Sequence, residues 1–388
     1  MATDLSARLS AHENKGLYRK RLTLEGPQTT DVVIDGKRYL AFCSNDYLGL
    51  ANHSALIEAA CHGARTYGVG SGASHLITGH STAHHALEHA LAQFVGLPQA
   101  LLFSTGYMAN MAVITALVGR GDAVFADKLN HASLNDAIVL SRATFTRYPH
   151  LELARLERCL ADTKASRKLV ATDAVFSMDG DIAPVAELLA LCERYDAWLL
   201  LDDAHGFGVL GKQGQGILHA VDGFDLQSPH LIYMATLGKA AGVFGAFVAA
   251  QPEVIAALIQ FAHTYGYTTA TPPLLAHTLL TSLSLIEREV WRREILTAHR
   301  LRLSRGLQSC RWPLLPSATP IQPLRVGRSE EAVRLSAALR EQGILVPAIR
   351  PPTVPKGEAR LRISLSAAHS KEDVDRLIEA LHAVAGNV

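Results

Sequence analysis

The chain has few cysteines: five in 388 residues, Cys43, Cys61, Cys159, Cys192 and Cys310, odd in number and widely scattered. No CxxC pair and no Cys/His finger spacing occurs, which excludes a disulfide scaffold and a zinc-finger module. Net charge is nearly absent: 37 Lys and Arg against 36 Asp and Glu leave +1. Such a balance gives no electrostatic attraction to nucleic acid or an anionic membrane. The longest apolar run, Ala240–Ala250, is about half of the roughly 20 residues that a membrane span requires. The N-terminal MATDLSARLSAHENK lacks the apolar segment of a secretory signal. Repeats, low-complexity tracts and long linkers are also missing. These absences predict a soluble, cytoplasmic protein without nucleic-acid or membrane partners. The 48% apolar content suffices for a sizeable core.

What is present is a regular alternation. Residues 1–28 read as an amphipathic helix followed by a basic turn, Arg19-Lys20-Arg21. Asp31–Phe42 reads as a hairpin around Asp35-Gly36, a pair suited to a type I′ turn. From about residue 45 to 290, helical stretches alternate with short continuous apolar runs: Ala100–Ser104, Ala123–Ala126, Leu169–Ala174, Ala197–Leu201, Leu231–Met234 and Phe244–Ala249. Continuous hydrophobicity fits strands covered on both faces, as in a parallel sheet. The last hundred residues change rhythm. One long helix over Leu285–Ser309 precedes a strand at Pro320–Val326, a helix at Ser329–Gln342, strands at Ile344–Ile349 and Arg360–Leu365, and a closing helix from Lys371. The expected organisation is an N-terminal helix and hairpin over 1–44, a large α/β domain over 45–290, and a small α+β domain over 291–388.

Three phosphate-loop signals need weighing. Gly206-Phe-Gly-Val-Leu-Gly211 matches GxGxxG after a strand, but Asp202–His205 intervene and more glycines follow where a helix should start. The dinucleotide fingerprint needs its glycines to form the strand-to-helix turn itself. A Walker A pattern is absent, since Tyr233 stands where its first glycine belongs before Gly238-Lys239. Gly68–Gly72 alone reads as a flexible turn. The pairs His80/His84 and His85/His89 fall at i,i+4 on a predicted helix, but no acidic or thiolate ligand stands beside them. They read as surface or partly packed histidines, and no metal site is expected.

Four separated segments carry the strongest chemistry. Asp202-Asp-Ala-His-Gly206 begins where a strand ends, the place where open α/β sheets put ligands. Ala235–Ala240 follows another strand and holds Lys239 in Gly/Ala-rich surroundings; desolvation there would lower its pKa and suit Schiff-base chemistry. Ser104–Asn110 runs from strand into helix, leaving backbone N–H groups free to cradle a phosphate. Asn130-His131 opens a helix at the same end of the sheet. A phosphate cradle, an aromatic cap, an acid for a heterocycle nitrogen and an unpaired lysine together form the set that a pyridoxal 5′-phosphate enzyme needs.

With these residues in this order, the chain resembles the α-oxoamine synthases, which are fold-type-I pyridoxal-phosphate enzymes. The resemblance covers essentially the whole chain. It rests on Ser44-Asn-Asp-Tyr-Leu-Gly-Leu50, Gly70-Ser-Gly72, Asn130-His-Ala-Ser133, Phe176-Ser-Met-Asp-Gly180, Asp202-Asp-Ala-His-Gly206 and the Lys239 segment. Ala348–Gly357 with Arg360-Leu-Arg-Ile-Ser364, and Ile321-Gln-Pro-Leu324, are similar to the biotin-pathway branch. That branch implies decarboxylative condensation of L-alanine with pimeloyl-CoA or pimeloyl-acyl carrier protein to 8-amino-7-oxononanoate, CO2 and the free thiol carrier. The rival readings are a sibling using glycine or serine with another acyl-CoA, a pyridoxal-phosphate aldolase or lyase, and a non-catalytic cofactor-binding subunit of a hetero-oligomer, which would lack the Schiff-base lysine that Lys239 supplies.

The resemblance implies roles residue by residue. Lys239 is the Schiff-base lysine and the base at the substrate α-carbon, and Asp202 pairs with the pyridinium nitrogen. His205 and Ser177 bond the ring oxygen of the cofactor. His131 stacks on the ring and serves as proton donor or oxyanion partner. The backbone at Gly106 and Tyr107, with the Thr236 hydroxyl, holds the phosphate. Arg362, helped by Asn45, binds the amino-acid carboxylate, while Arg19 and Thr353 serve the acyl substrate. Tyr267–Pro273 falls where relatives reach a neighbouring subunit's phosphate site, implying a homodimer with shared active sites. Lys15, Arg19, Lys20 and Arg21 are compatible with a basic face for a carrier protein. Departures from the family pattern are His75, where arginine or glycine is common, a variable His80, Phe207 in place of a small polar residue, and a longer loop over Gly216–Pro229.

Overall fold

A computed structural model describes residues 5–14 and 17–386. All six apolar runs become strands of one seven-stranded sheet. Across the sheet the order is Gln99–Phe103, Ala246–Ala250, Leu231–Thr236, Trp198–Asp202, Lys168–Asp173, Ala123–Asp127 and Thr144–Tyr148. Ala246–Ala250 runs antiparallel to both its neighbours, and the remaining pairs are parallel. The sheet is therefore mainly, not wholly, parallel. Thr144–Tyr148 carried no continuous apolar signal because it is a partly exposed edge strand.

Alternation explains why the central strands are apolar at every position. Leu199 and Leu201 enter the hydrophobic cluster on one face, and Leu200 enters the cluster on the other. Successive side chains of a strand point to opposite faces, so a strand buried on both sides must be apolar throughout. Helices Gly106–Leu117, Ala132–Ser141 and Pro252–Phe261 cover one face. Thr82–Val95, Val185–Arg194 and Pro273–Arg288 cover the other.

The single helix expected over Leu285–Ser309 is two, Pro273–Arg288 and Trp291–Gly306. No glycine or proline marks the break. The buried Arg292 pins it, with Nε donating to Glu289 Oε2 at 2.6 Å and Nη1 donating to Leu48 O at 2.8 Å. Beyond it, Ile321–Gly327, Ala359–Ser364 and Ala348–Ile349 form a small antiparallel sheet. The expected hairpin is present as Asp31–Ile34 and Lys37–Ala41, with positive φ at both Asp35 and Gly36 as a type I′ turn requires. Its second strand pairs in parallel with Ile344–Leu345, tying the two ends of the chain together. Helix Leu5–Asn14 buries none of its residues against this chain, and Lys15 lies outside the described residues.

Glycine is required at the turn that carries Lys239. Gly242 has φ +70° and donates its N–H to Lys239 O at 2.8 Å. A Cβ there would lie 2.7 Å from both Ala51 N and Leu50 C. The left-handed backbone alone costs a non-glycine residue roughly 1–2 kcal/mol. Gly242→Ala is therefore expected to lower the unfolding free energy by about 2 kcal/mol or more. Urea titration measures this, and a variant as stable as the parent would show that the turn can relax.

Candidate active site

The site is assembled at the carboxyl ends of the parallel strands. Asp127, Asp173 and Asp202 each end a strand, and Asp173 lies opposite Asp202 in register. Two buried carboxyls side by side cannot both ionise at ordinary cost. Burial, then the charge of Asp202, push Asp173 well above the usual carboxylate range, against the His131 N–H that it accepts. Asp202 is held on both oxygens: Oδ1 accepts from Ala204 N at 3.0 Å and Oδ2 from Asn110 Nδ2 at 2.7 Å.

Asn110 ties this carboxylate to the imidazole above it. Its Nδ2 also donates to Ser133 Oγ at 2.9 Å, and Ser133 Oγ lies 2.8 Å from His131 Nδ1. Since Ser133 N–H also donates to Nδ1, that nitrogen is an acceptor and the proton of His131 sits on Nε2. Burial, outweighing the pull of Asp202, lowers the His131 pKa, so the ring is neutral and offers one N–H.

On the opposite side, Lys239 Nζ lies 2.8 Å from His205 Nε2, and His205 Nδ1 lies 2.7 Å from Tyr47 OH. Tyr47 OH lies 3.2 Å from Asn45 Oδ1 and accepts from Arg362 Nη2 at 3.3 Å. Burial first, then the Lys239 charge, hold His205 far below its ordinary pKa. A neutral His205 that accepts from Lys239 donates its Nδ1 proton to Tyr47, whose own proton then goes to Asn45. Burial likewise lowers Lys239 to about 8, against the pull of Asp202 and Asp173.

Arg362 is held from several directions. Nε donates to Ser177 O, Nη1 to Asn45 Oδ1 and Ser364 Oγ, and Nη2 to Tyr47 OH. A guanidinium has five N–H groups, so these four bonds leave one on Nη2.

All eight residues expected to hold a cofactor, Gly106, Tyr107, His131, Ser177, Asp202, His205, Thr236 and Lys239, line one cavity of about 170 Å³. Thr105 caps helix Gly106–Leu117 through Met108 N, leaving the Gly106 and Tyr107 N–H groups free to meet an anion. Thr236 Oγ1 already donates to Gly245 O at 3.0 Å. A buried amine of lowered pKa, a doubly anchored carboxylate and a helix N-terminus around one cavity fit pyridoxal phosphate. An adjoining cavity of about 670 Å³ shares His131 and Ser177 and is lined by Arg19 and Thr353. Asn45 and Arg362 line neither cavity; they support the wall through Ser177 and Tyr47.

Sequence reasoning gave no role to Tyr47, Asn110, Ser133, Asp173 or His150. The first three lie inside the quoted motifs, and buried polar residues there were the available signal. The GxGxxG match is explained without a nucleotide: no α-helix follows, and a Cβ on Gly206 would run into the Asp203 carboxylate. Asp203, raised to about 7 by burial, accepts from Ile217 N and Tyr233 OH. Phe207 lies in the core, edge-on to Phe94 and Phe247.

Comparison with known proteins agrees with this geometry. Residues 37–381 match the family model described as aminotransferase class I and II. The chain is 70% identical over 385 residues to the 8-amino-7-oxononanoate synthase of Nitrosomonas europaea, covering 99% of this chain and 100% of that one. It is 60% identical to the enzyme of the same name from Herminiimonas arsenicoxydans, covering 98% of each. Among solved structures, serine palmitoyltransferase of Sphingomonas wittichii superposes with a TM-score of 0.93 at 28% identity over 100% of both chains. The 8-amino-7-oxononanoate synthase of Francisella tularensis superposes with a TM-score of 0.77 at 31% identity, covering 90% of this chain and 98% of that one.

His150 joins the two loops that face each other across the site. Its Nδ1 lies 3.0 Å from Asp127 Oδ1, on the loop leading to His131, and its Nε2 lies 2.7 Å from Asp181 Oδ2, beyond Ser177. Burial works against its charge, but the two carboxylates prevail and hold it at about 9. A base raised in the folded state contributes stability that is complete below its unfolded pKa, near 6.5, and lost as pH rises through about 9. His150→Gln is therefore expected to be less stable than the parent at pH 6, with the gap closing above pH ~9. Thermal unfolding across that range measures it, and a gap independent of pH would contradict the bridging cation.

Proposed function

The chain belongs to the class I and II aminotransferase family and, like the relatives that match it end to end, is a pyridoxal-phosphate enzyme that condenses L-alanine with a pimeloyl thioester to 8-amino-7-oxononanoate; we propose that Lys239, Asp202, His131 and Arg362 carry that reaction. The observation that supports the assignment best is the buried Lys239 amine, lowered to about 8 and facing Asp202 across one cavity. When bound, pyridoxal phosphate supplies an electron sink for the pair left at the alanine α-carbon.

The residues divide the work by position. Gly106 and Tyr107 N–H groups would hold the phosphate at a helix N-terminus, joined by the Thr236 hydroxyl once it turns from Gly245 O. Asp202, fixed by Asn110 and Ala204, holds a proton on the ring nitrogen. His205 and Ser177 meet the ring oxygen. Lys239 Nζ, uncharged in a large fraction near pH 8, takes the α-proton of alanine. Arg362 anchors the alanine carboxylate with its remaining N–H, in a guanidinium plane set by Asn45, Tyr47 and Ser177. The acyl chain enters the larger cavity past Arg19 and Thr353. His131 donates from Nε2 to the thioester oxygen as negative charge develops there. After the carbon–carbon bond forms and the thiol leaves, the carboxylate is β to a ketone and departs as CO2.

The working unit is a homodimer. Tyr267 is 86% exposed, which suits the start of a segment that would reach a neighbouring subunit's phosphate site. The small C-terminal domain over 291–388 and the hairpin within 1–44 form one unit beside the large domain over 45–290, which accords with the hairpin pairing to Ile344–Leu345. Among the described residues no helix is long and apolar enough to cross a membrane, and the cytoplasm is the compartment that suits this chemistry.

The test measures product from L-alanine, glycine and L-serine with pimeloyl-CoA and with acetyl-CoA. Product is expected with L-alanine and pimeloyl-CoA, and none in Lys239→Ala. Arg362→Lys is expected to lower kcat/KM for alanine by about 10- to 100-fold through loss of planar recognition. Turnover preferring glycine would move the chain to a sibling activity, and normal turnover by Lys239→Ala would remove that residue as the base.

A further inference from the structure

Away from this site lies a group of four histidines and one glutamate that the reaction does not use. The sequence suggested His80 and His84 on one helix without an acidic neighbour. The structure corrects both points. His80 lies outside the helix, after the short turn His75–Gly79, and Glu88 from helix Thr82–Val95 stands beside it, with Oε2 3.8 Å from His80 Nε2.

Hydrogen bonding separates the members. His84 Nδ1 accepts from Ser81 N at 3.0 Å and its Nε2 lies 2.8 Å from Thr271 O, so both nitrogens are occupied. His75 and His80 face each other through their Nδ1 atoms at 3.0 Å, so one of them donates. His75 is fixed by its stacking on Tyr265, with ring centroids 4.9 Å apart and planes 8° apart. With the proton on His80 Nδ1, bonded to His75, the lone pair of His80 Nε2 points away from that bond, on the side where Glu88 lies. Outer-shell bonds of this kind orient metal-binding imidazoles. Glu88 is oriented in turn, since its Oε1 accepts from Leu102 N at 3.0 Å.

We propose that His80, His85 and Glu88 form a second site that binds a divalent transition ion such as zinc. The donor atoms of the three residues all lie within 4.8 Å of one another. Tetrahedral zinc with bonds of ~2.0–2.1 Å needs ligand separations of roughly 3.4 Å, so closure asks for shifts of about 1 Å or less. The exposed His85 supplies that movement by changing rotamer. Two imidazoles and one carboxylate suit zinc and leave coordination positions for water. The ion would clamp the exposed turn holding Leu76 and Ile77 to helix Thr82–Val95, next to the Ser71 and Thr271 contact.

The experiment titrates Zn2+ alone into tag-free, chelator-treated holoenzyme by calorimetry, with the parent, His85→Ala, Glu88→Gln and His75→Phe. One equivalent is expected in the parent. Affinity should fall at least tenfold in His85→Ala and Glu88→Gln and about tenfold in His75→Phe, the range seen when ligands or their outer partners are removed. Cofactor absorbance and turnover should be unchanged in His85→Ala, whose exposed side chain is not needed for folding. No uptake by the parent, or equal uptake by His85→Ala, would overturn the site.

Discussion

One buried hydrogen-bonded path constrains the rest of the molecule: Lys239 to His205 to Tyr47, and from Tyr47 to both Asn45 and Arg362. It joins segments more than three hundred residues apart in sequence, and Tyr47, His205 and Arg362 at its centre are buried. An unpaired buried polar group costs on the order of 1–3 kcal/mol, so the path holds only if all of its segments dock together. It also joins the Lys239 amine at the cavity to the Arg362 guanidinium behind its wall. A strand end, a loop and the small C-terminal sheet thereby share one geometry.

The second constraint is the pair of carboxyls at adjacent strand ends. Asp173 and Asp202 lie opposite one another because the sheet register puts them there. The protein resolves the conflict by environment: Asp202 receives Asn110 and the Ala204 N–H, while Asp173, pushed well above the usual carboxylate range by burial, faces a backbone N–H. Asn110 and Ser133 extend the arrangement to His131 and so fix which of its nitrogens carries hydrogen. The positions of a carboxylate and an imidazole that line the same cavity are thus set by a single amide.

Much of the fold was legible because a strand buried on both faces writes itself as an unbroken apolar run, as at Leu199-Leu200-Leu201. Thr144–Tyr148 was not, because an edge strand can be partly polar. The helix break at Arg292 was hidden because a hydrogen bond to Leu48 O, remote in sequence, produces it. Site residues that end strands or open helices, such as Asp202, Gly106 and His131, were legible from position. Tyr47 and Asp173 gained their roles only from contacts across the fold. Glu88 shows the same limit, since its nearness to His80 follows from a turn outside the helix rather than from helical spacing.

The parallel pairing of Lys37–Ala41 with Ile344–Leu345 has a consequence for biosynthesis. The hairpin leaves the ribosome early, but its partner strand is made about three hundred residues later. Through most of translation one hairpin edge, with its unpaired N–H and C=O groups, stays open to other chains. The large sheet waits less, because all its pairs but that of Gln99–Phe103 with Ala246–Ala250 join strands that are consecutive or nearly so, and even that pair is complete by residue 250. The nascent protein thus holds an assembled cofactor-binding core while its first and last segments are still strangers, and the pocket wall carrying Arg362 is the last part to be closed.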